Sequence, residues 1–151
     1  MAHRSLATPT DPRSARVVAF YASLTPQSLA GLDAVYAEGA RFIDPFNDVV
    51  GIAAIRRLFE HMFEVLDAPQ FQVLQVTTED DDCFLLWNMH FRRKGGSSAS
   101  QIHGSTHLRF AADGRVGLHR DYWDPARELY EAVPLLGALM RWLRRKLATP
   151  G

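Results

Sequence analysis

The chain has 151 residues, with 17 lysines and arginines balanced by 17 acidic residues, 47% hydrophobic residues and one cysteine. A chain of this length can bury a core without disulfides or metal, and zero net charge removes the long-range field on which non-specific nucleic-acid binding depends. We therefore expect one domain and no nucleic-acid partner.

The cellular setting is predicted from what the sequence lacks. A single cysteine, Cys83, excludes an intramolecular disulfide and a cysteine-based zinc site, which indicates a reducing compartment. The N-terminal stretch has no apolar signal-peptide core, and no run of residues is long and apolar enough for a membrane span. We therefore predict a cytoplasmic protein with no membrane partner.

Two helices are predicted at the start of the ordered chain, after a flexible arm over residues 1–10. The pair Asp11–Pro12 is typical of a helix start, with an N-cap followed by proline at the first helical position. The pair Thr25–Pro26 repeats this signal, and the second helix is predicted to run through Tyr36 and to end at Gly39.

The centre of the chain is predicted to contain one strand, one loop and one helix. After this helix, the spacing of the apolar residues along the sequence changes. A short strand is predicted over 40–45, an irregular loop over 45–48, and an amphipathic helix from about Gly51 to Leu66. From Phe71 the period is two, which predicts antiparallel strands over 71–78, 83–94, 101–110 and 115–124.

A closing amphipathic helix is predicted over 134–147, with leucines on one side and arginines on the other. This pattern favours packing on the same domain or on a second subunit, and an anionic membrane or a partner helix is the alternative. The whole order predicts an α+β domain over 11–130, followed by a C-terminal helix and tail over 131–151. In this domain the helices cover one face of a curved antiparallel sheet.

Polar side chains on the last strand form the first candidate site. His119, Asp121 and Trp123 share one face, and a carboxylate enclosed beside aromatic rings is a candidate general base. The alternatives are a structural His119–Asp121 pair or a pair between Asp121 and Arg120. Asp44 is a second candidate base, although an aspartate before a proline is also common in turns.

Other strand residues are candidates for the walls of a pocket or for a metal site. Trp87, Met89 and Phe91 alternate along one strand and belong either to a pocket wall or to the core. His103 and His107 share the more polar face of their strand, so we expect them to point outward without a metal. The sequence contains no phosphate-loop, dinucleotide or zinc motif, and no cofactor is predicted.

Two parts of the chain carry a resemblance to a known family: Tyr36–Phe46 with Gly51–Ile55, and Leu108–Phe110 with Asp113–Val116 and Tyr122–Trp123. These stretches resemble the nuclear transport factor 2-like superfamily, and more narrowly its ketosteroid isomerases and SnoaL-like proteins. The resemblance implies a cone-shaped fold, in which a highly curved sheet wraps helices around a deep pocket. It also implies a homodimer formed through the convex face of the sheet.

The resemblance to the ketosteroid isomerases also implies roles for single residues. Asp44 falls on their general base, and Trp123 falls on an aromatic pocket wall. Their tyrosine oxyanion donor falls on Phe20, with Tyr21 one position away, and their protonated aspartate donor falls on Thr106. The replacement at Thr106 argues against steroid isomerisation itself, because removing an oxyanion donor typically slows catalysis about 100- to 1,000-fold.

The resemblance to SnoaL-like cyclases, in which a late-strand aspartate is the acid or base, favours Asp121. We therefore consider a cofactor-independent isomerase, cyclase or dehydratase acting on a hydrophobic carbonyl compound, and alternatively a non-catalytic ligand-binding or regulatory dimer. The candidate catalytic residues are Asp44, His119, Asp121 and Tyr21. The candidate ligand-binding residues are Tyr36, Phe46, Trp87, Met89, Phe91, Thr106 and Trp123.

Overall fold

The computed structural model describes residues 8–128 and 136–148. Residues 1–7 of the predicted arm and the predicted helix start at Pro134 lie outside the described residues. A 3-10 helix, Gln27–Gly31, lies between the first two α-helices. The elements in chain order are α1 (Pro12–Ala22), α2 (Leu32–Val35), β1 (Tyr36–Ile43), β2 (Asp48–Val50), α3 (Ile52–Val65), β3 (Leu66–Glu79), β4 (Asp82–Arg93), β5 (Ala99–Phe110), β6 (Val116–Tyr122), α4 (Pro125–Glu128) and α5 (Leu136–Leu147).

The described strands form one six-stranded sheet in the order β2-β1-β6-β5-β4-β3. The β1–β6 pair is parallel and the other pairs are antiparallel, so the predicted α+β class is confirmed. Register shifts interrupt the β3–β4 and β5–β6 pairs, and such irregularities bend strands and increase their twist. The helices α1 and α3 pack against the concave face of this bent sheet.

The helix α1 begins as the sequence predicts and is fixed to the far turn of the sheet. Asp11 is the N-cap and accepts a hydrogen bond from the backbone N–H of Arg13 at 2.8 Å. The guanidinium of Arg13 also bonds Asp81, in the β3–β4 turn, at 2.7 Å and lies over the ring of Phe110. These contacts set the rotation of α1, which places Tyr21 toward the interior of the cone.

The predicted second helix is wrong in its last part. The helical turn of α2 ends at Val35, and Tyr36 is extended with φ −104° and ψ 139°. Tyr36 begins β1 and pairs with Val116 of β6, so long-range sheet pairing outweighs the local helical pattern. Gly39 therefore lies inside β1 rather than at a helix end.

Two further strand boundaries differ from the prediction. Residues Asp48–Val50, part of which was expected to be loop, form β2 and pair with β1, where Arg41 and Asp48 make an ion pair at 2.6 Å. The strand β3 begins at Leu66, five residues before Phe71, and continues directly from α3. The loop before β2 covers residues 44–47, one residue earlier than predicted, so Asp44 belongs to the turn between β1 and β2.

The convex face of the sheet carries exposed aromatic side chains. Phe84 is 53% exposed and stacks on His107, and Tyr122 is 51% exposed and lies under the guanidinium of Arg120. Arg120 and Tyr122, which alternate with His119 and Asp121 along β6, are therefore exposed on the outer face of the sheet. The homodimer stays a prediction.

The C-terminal helix α5 shows the amphipathic pattern, and its leucines are exposed. Leu139 is 49% exposed and Leu147 is 85% exposed, while Gly137 is buried. Among the residues that the structure describes, no helix combines the length and the apolar composition needed to span a membrane.

Candidate functional site

A cavity of about 880 Å³ lies between the concave face of the sheet and the helices α1 and α3. Most of its wall is apolar and aromatic. The wall residues predicted from the sequence are Trp87, Met89, Phe91 and Trp123, and those that the sequence analysis did not single out include Phe42, Phe59, Met62, Phe71 and Val73. The series Trp87, Met89 and Phe91 faces inward because alternate residues of a strand point to the same face.

The innermost part of the cavity contains a buried histidine held between two tyrosines and a carboxylate. His119 is 2% exposed and its ring stacks on Phe42 at 4.2 Å between centroids. Its Nδ1 lies 2.9 Å from the hydroxyl of Tyr36 and 3.4 Å from that of Tyr21. The two tyrosine hydroxyls lie 2.5 Å apart.

The other nitrogen of His119 meets Asp121, and the bonding partners assign each proton. The indole N–H of Trp87 donates to Thr106 at 2.8 Å, so the hydroxyl of Thr106 has its own proton to donate to Asp121 Oδ1, at 2.5 Å. His119 Nε2 donates to the same oxygen at 2.8 Å. His119 Nδ1 is then an acceptor, and Tyr36 donates to it.

This arrangement leaves one carboxylate oxygen of Asp121 open to the cavity. Both hydrogen bonds to the carboxylate are made by Oδ1, and within the described residues Oδ2 accepts none. The side chain of Asp121 is 16% exposed and lines the cavity, whereas that of His119 is 3% exposed. A ligand can therefore reach Asp121 directly, while both nitrogens of His119 are already occupied.

The two tyrosines of this cluster are held in their neutral form. Burial raises the pKa of the Tyr21 hydroxyl well above its usual value, and the neighbouring Tyr36 and Asp121 raise it further. Burial also raises the pKa of Tyr36, and the nearby Asp121 acts in the same direction, while the hydrogen bond with Tyr21 opposes the shift. Both hydroxyls consequently remain hydrogen-bond donors at neutral pH.

Phe20, Tyr21 and Tyr36 differ in their positions relative to the cavity. Tyr21, rather than Phe20, lines the cavity, and Phe20 packs edge-on against Tyr21 at 5.5 Å. Tyr36 was expected to contact ligand, but it is completely buried behind the wall and its hydroxyl bonds His119 instead. Thr106 lies in the wall, where it contacts Asp121.

Asp44 follows β1 directly and lines the same cavity, and the pairing of Ile43 with Arg120 places its backbone level with Asp121. Oδ1 of Asp44 accepts hydrogen bonds from the backbone N–H groups of Phe46 and Asn47 at 2.7 and 2.8 Å, and the side-chain amide of Asn47 bonds both oxygens. These bonds hold the β1–β2 turn together. Phe46 follows Asp44 in this turn, is 51% exposed and contacts Trp123 edge-on at 5.5 Å.

The cavity lining also includes cations that the sequence analysis did not identify. Arg57 of α3, Arg93 at the end of β4 and the following Lys94 all line the cavity and are exposed, and we call these three residues the cationic rim. Arg93 continues the inward series of Trp87, Met89 and Phe91 at period two, which is the signal that could have identified it. For Arg57 the sequence offers no comparable signal.

The two outward histidines bond nearby side chains. His103 is exposed and bonds Asn88, and His107 bonds Asp82 at 2.6 Å on the convex face. Among the described residues, histidine, cysteine and carboxylate side chains form no group of three suited to a metal ion. The bond between His107 and Asp82 therefore connects β5 to β4 on the convex face, outside the cavity.

A family model for the SnoaL-like domain matches residues 17–119, which is more than half of the chain. The chain belongs to the SnoaL-like family. The predicted resemblance is confirmed by this match, and the matched range includes the elements from α1 to the His119 position of β6. No curated protein sequence matches the chain.

Solved structures share the cone fold of this SnoaL-like domain. A protein with the ketosteroid isomerase-like fold from Catenulispora acidiphila DSM 44928, in complex with trimethylamine, is 14% identical with a TM-score of 0.69, over 80% of this chain and 92% of that one. An M. tuberculosis LEH-like epoxide hydrolase is 18% identical with a TM-score of 0.66, over 91% and 99% of the two chains. A candidate SnoaL-like polyketide cyclase from Shewanella putrefaciens CN-32 is 18% identical with a TM-score of 0.65, over 77% and 92%.

At these identities the structural neighbours establish only the fold of this SnoaL-like domain. Its activity has to be inferred from its own side chains. The domain combines an apolar cavity with a hydrogen-bonded polar cluster at one end, which is the general form of a small-molecule site.

Proposed function

We propose that the protein is a cofactor-independent acid–base enzyme of isomerase, cyclase or dehydratase type, acting on a hydrophobic carbonyl compound. The observation that carries this proposal is Oδ2 of Asp121, which accepts no hydrogen bond from the described residues and belongs to a side chain that lines an apolar cavity, while Oδ1 is held by Thr106 and His119. A carboxylate fixed through one oxygen presents the other in a defined direction, which suits a general base.

The size and lining of the cavity support an apolar substrate. Ligand pockets have volumes of about 300–1,000 Å³, and this cavity of about 880 Å³ lies in the upper part of that range. Aromatic walls such as Trp87, Phe71 and Trp123 would bury the flat body of a polyketide-like compound. Polar groups concentrated at one end would orient its carbonyl group.

The proposed chemistry begins with removal of a proton from the carbon next to the carbonyl group. Asp121 Oδ2 accepts this proton, and the electron pair of the broken C–H bond moves to the carbonyl oxygen, which becomes an enolate. The hydroxyl of Tyr21 turns from Tyr36 toward that oxygen and donates a hydrogen bond to it. In an isomerase, Asp121 then returns the proton to another carbon. In a cyclase, the enolate carbon attacks a second carbonyl carbon and Asp121 returns the proton to the alkoxide that forms. In a dehydratase, the carbonyl re-forms as the bond to the β-hydroxyl group breaks, and Asp121 returns the proton to that group, which leaves as water.

His119 acts in this scheme as a positioning residue. Its two nitrogens bond Tyr36 and Asp121, and its ring is fixed by stacking on Phe42. Thr106 restrains the same carboxylate oxygen from the neighbouring strand. Together these bonds keep the orientation of Asp121 constant, which is the condition for efficient proton transfer from a bound carbon acid.

The test is deuterium incorporation at the carbon next to the carbonyl group of apolar cyclic ketones and 1,3-diketones, followed by nuclear magnetic resonance in deuterated buffer. This measurement detects proton abstraction whatever the final product is. We expect wild-type protein to accelerate exchange for at least one compound and Asp121→Asn to lose about 100-fold or more. Glu60→Gln, an exposed carboxylate of α3 outside the cavity wall, is the matched control.

Two outcomes would contradict parts of this proposal. If Asp44→Asn abolishes exchange while Asp121→Asn retains it, the aspartate of the β1–β2 turn is the base. If compounds bind in the cavity but none exchanges, the non-catalytic ligand-binding domain is the better description.

We further propose that the protein is a cytoplasmic homodimer joined through the convex face. Exposed aromatic surface at Phe84 and Tyr122 supports this face as the contact. A monomer mass in solution at micromolar concentration would overturn the dimer.

A further inference from the structure

The charges of the cationic rim are not neutralised by any acidic side chain among the described residues. Within the part of the chain that the structure describes, Arg57, Arg93 and Lys94 make no ion pair with a carboxylate. The acidic residues that line the cavity are Asp44 and Asp121. Asp44 is bonded within its own turn, and Asp121 is bonded by His119 and Thr106.

Arg93 of the cationic rim and Asp121 lie at different heights along the strands that form the cavity wall. Leu85 pairs with Thr106, and Thr106 pairs with Asp121, so these residues mark the inner level. Arg93 is eight positions further along β4 than Leu85, which corresponds to about 27 Å of strand. Between the two levels, β4 presents its alternating inward apolar series to the cavity.

A ligand that fills this space contacts three environments in sequence. Its inner end meets Asp121 and Tyr21, its body meets aromatic and aliphatic walls, and its outer end meets Arg93 and Lys94. Charged guanidinium and ammonium groups bind carboxylate and phosphate oxygens through charge-assisted hydrogen bonds. With a neutral apolar ligand, these guanidinium and ammonium groups would form hydrogen bonds with water and not with the ligand.

We propose that the ligand of this cavity is an elongated amphipathic anion, an apolar carbonyl compound whose outer end carries a carboxylate or phosphate group bound by Arg93 and Lys94. This inference rests on the proposed function for the placement of the carbonyl group near Asp121. The anionic end would be held at the cationic rim, where water can solvate it, and it would fix which carbon atom of the body reaches Asp121.

The experiment compares calorimetric binding of dodecanoate, dodecyl phosphate and the neutral dodecanol, each below its micellar concentration. We expect the two anions to bind at least about ten-fold more tightly than dodecanol, with dodecyltrimethylammonium weakest. Arg93→Gln should weaken anion binding about ten-fold and leave dodecanol binding unchanged. Arg92→Gln is the matched control, because Arg92 is the neighbouring exposed arginine of β4 and does not line the cavity.

Three results would overturn the inference. Equal affinity for dodecanol and dodecanoate would show that the rim does not select charge. Equal losses in Arg92→Gln and Arg93→Gln would indicate a general electrostatic effect. An anion affinity that Arg93→Gln leaves unchanged would place the anion elsewhere, for example on the arginines of α5.

The binding test and the exchange test separate the two proposals. Anion-selective binding without deuterium exchange would leave the rim inference standing and would contradict the acid–base function. Exchange of neutral ketones that is insensitive to Arg93→Gln, together with no anion preference in binding, would contradict the rim inference alone. The phosphate and carboxylate probes then show which oxyanion the rim prefers.

Discussion

The inner end of the cavity and its cationic rim differ in how their polar side chains are partnered. At the inner end, His119, Asp121 and Tyr36 are linked in one continuous hydrogen-bonded chain. At the rim, Arg93 and Lys94 are exposed to water and make no ion pair within the described residues. Buried polar groups must be paired for the chain to fold, whereas exposed charges carry no such requirement. We therefore expect the inner cluster to contribute to the stability of the fold as well as to the proposed activity, and the rim to contribute mainly to ligand binding.

The largest effect is predicted for a variant that breaks the hydrogen bonds among Tyr36, His119 and Asp121 and keeps the shape of the core. His119→Phe removes the acceptor of Tyr36 and a donor to Asp121, and we expect the free energy of unfolding to fall by about 3 kcal/mol. Guanidinium denaturation followed by circular dichroism measures this loss. Arg93→Gln at the rim should change the same quantity by no more than about 0.5 kcal/mol.

Similar stability losses at the two positions would remove the distinction between them. Tyr21→Phe provides a milder inner variant, because it deletes one hydroxyl and retains the ring.

A second prediction concerns close packing behind the inner wall. A Cβ atom at Gly104 would lie 2.5 Å from the indole of Trp87, whose N–H is held by Thr106 at 2.8 Å. Gly104→Ala should therefore cost about 1–3 kcal/mol, since the ring cannot move without losing that bond. Thermal and chemical denaturation measure the cost.

Gly39→Ala is the control for this change, because a Cβ atom there meets nothing within 4 Å. Gly104→Ala with unchanged stability and unchanged tryptophan fluorescence would show that the indole has room to shift.

Much of the fold follows from local patterns in the sequence. The helix start at Asp11 and the period-two strands after Phe71 were predicted because capping and alternation are properties of neighbouring residues. The strand position of Tyr36 was not predicted, because it depends on parallel pairing with Val116, which lies far along the chain. The short strand β2 depends in the same way on its pairing with β1.

The candidate site shows the same division between local and long-range information. His119 and Asp121 were singled out because they share one face of one strand, and the structure shows them bonded to each other. The hydroxyls of Tyr36 and Thr106 join them from β1 and β5, which no spacing in the sequence reveals. The predicted catalytic roles of these residues stay predictions until an exchange measurement is made.

The smallest predicted effect is a dependence of stability on alkaline pH that originates at the inner end. Burial raises the pKa of Tyr21 and Tyr36 above the ordinary value of 10.0, so the folded protein retains protons that the unfolded chain releases. The stabilisation from these two groups is fully present below about pH 10 and is lost as the pH rises toward their folded-state pKa. The slope is at most about 1.4 kcal/mol per pH unit for each tyrosine.

Tyr21→Phe tests this origin through denaturation curves collected from pH 8 to pH 11. At pH 8 the variant should be less stable than wild type by about 1 kcal/mol, because the hydrogen bond to Tyr36 is lost. Above pH 10 the wild type should lose stability faster, so the difference between the two proteins should shrink as pH rises. Parallel curves would mean that the alkaline loss originates outside the inner cluster, and the contrast with the rim would then rest on His119 and Asp121 alone.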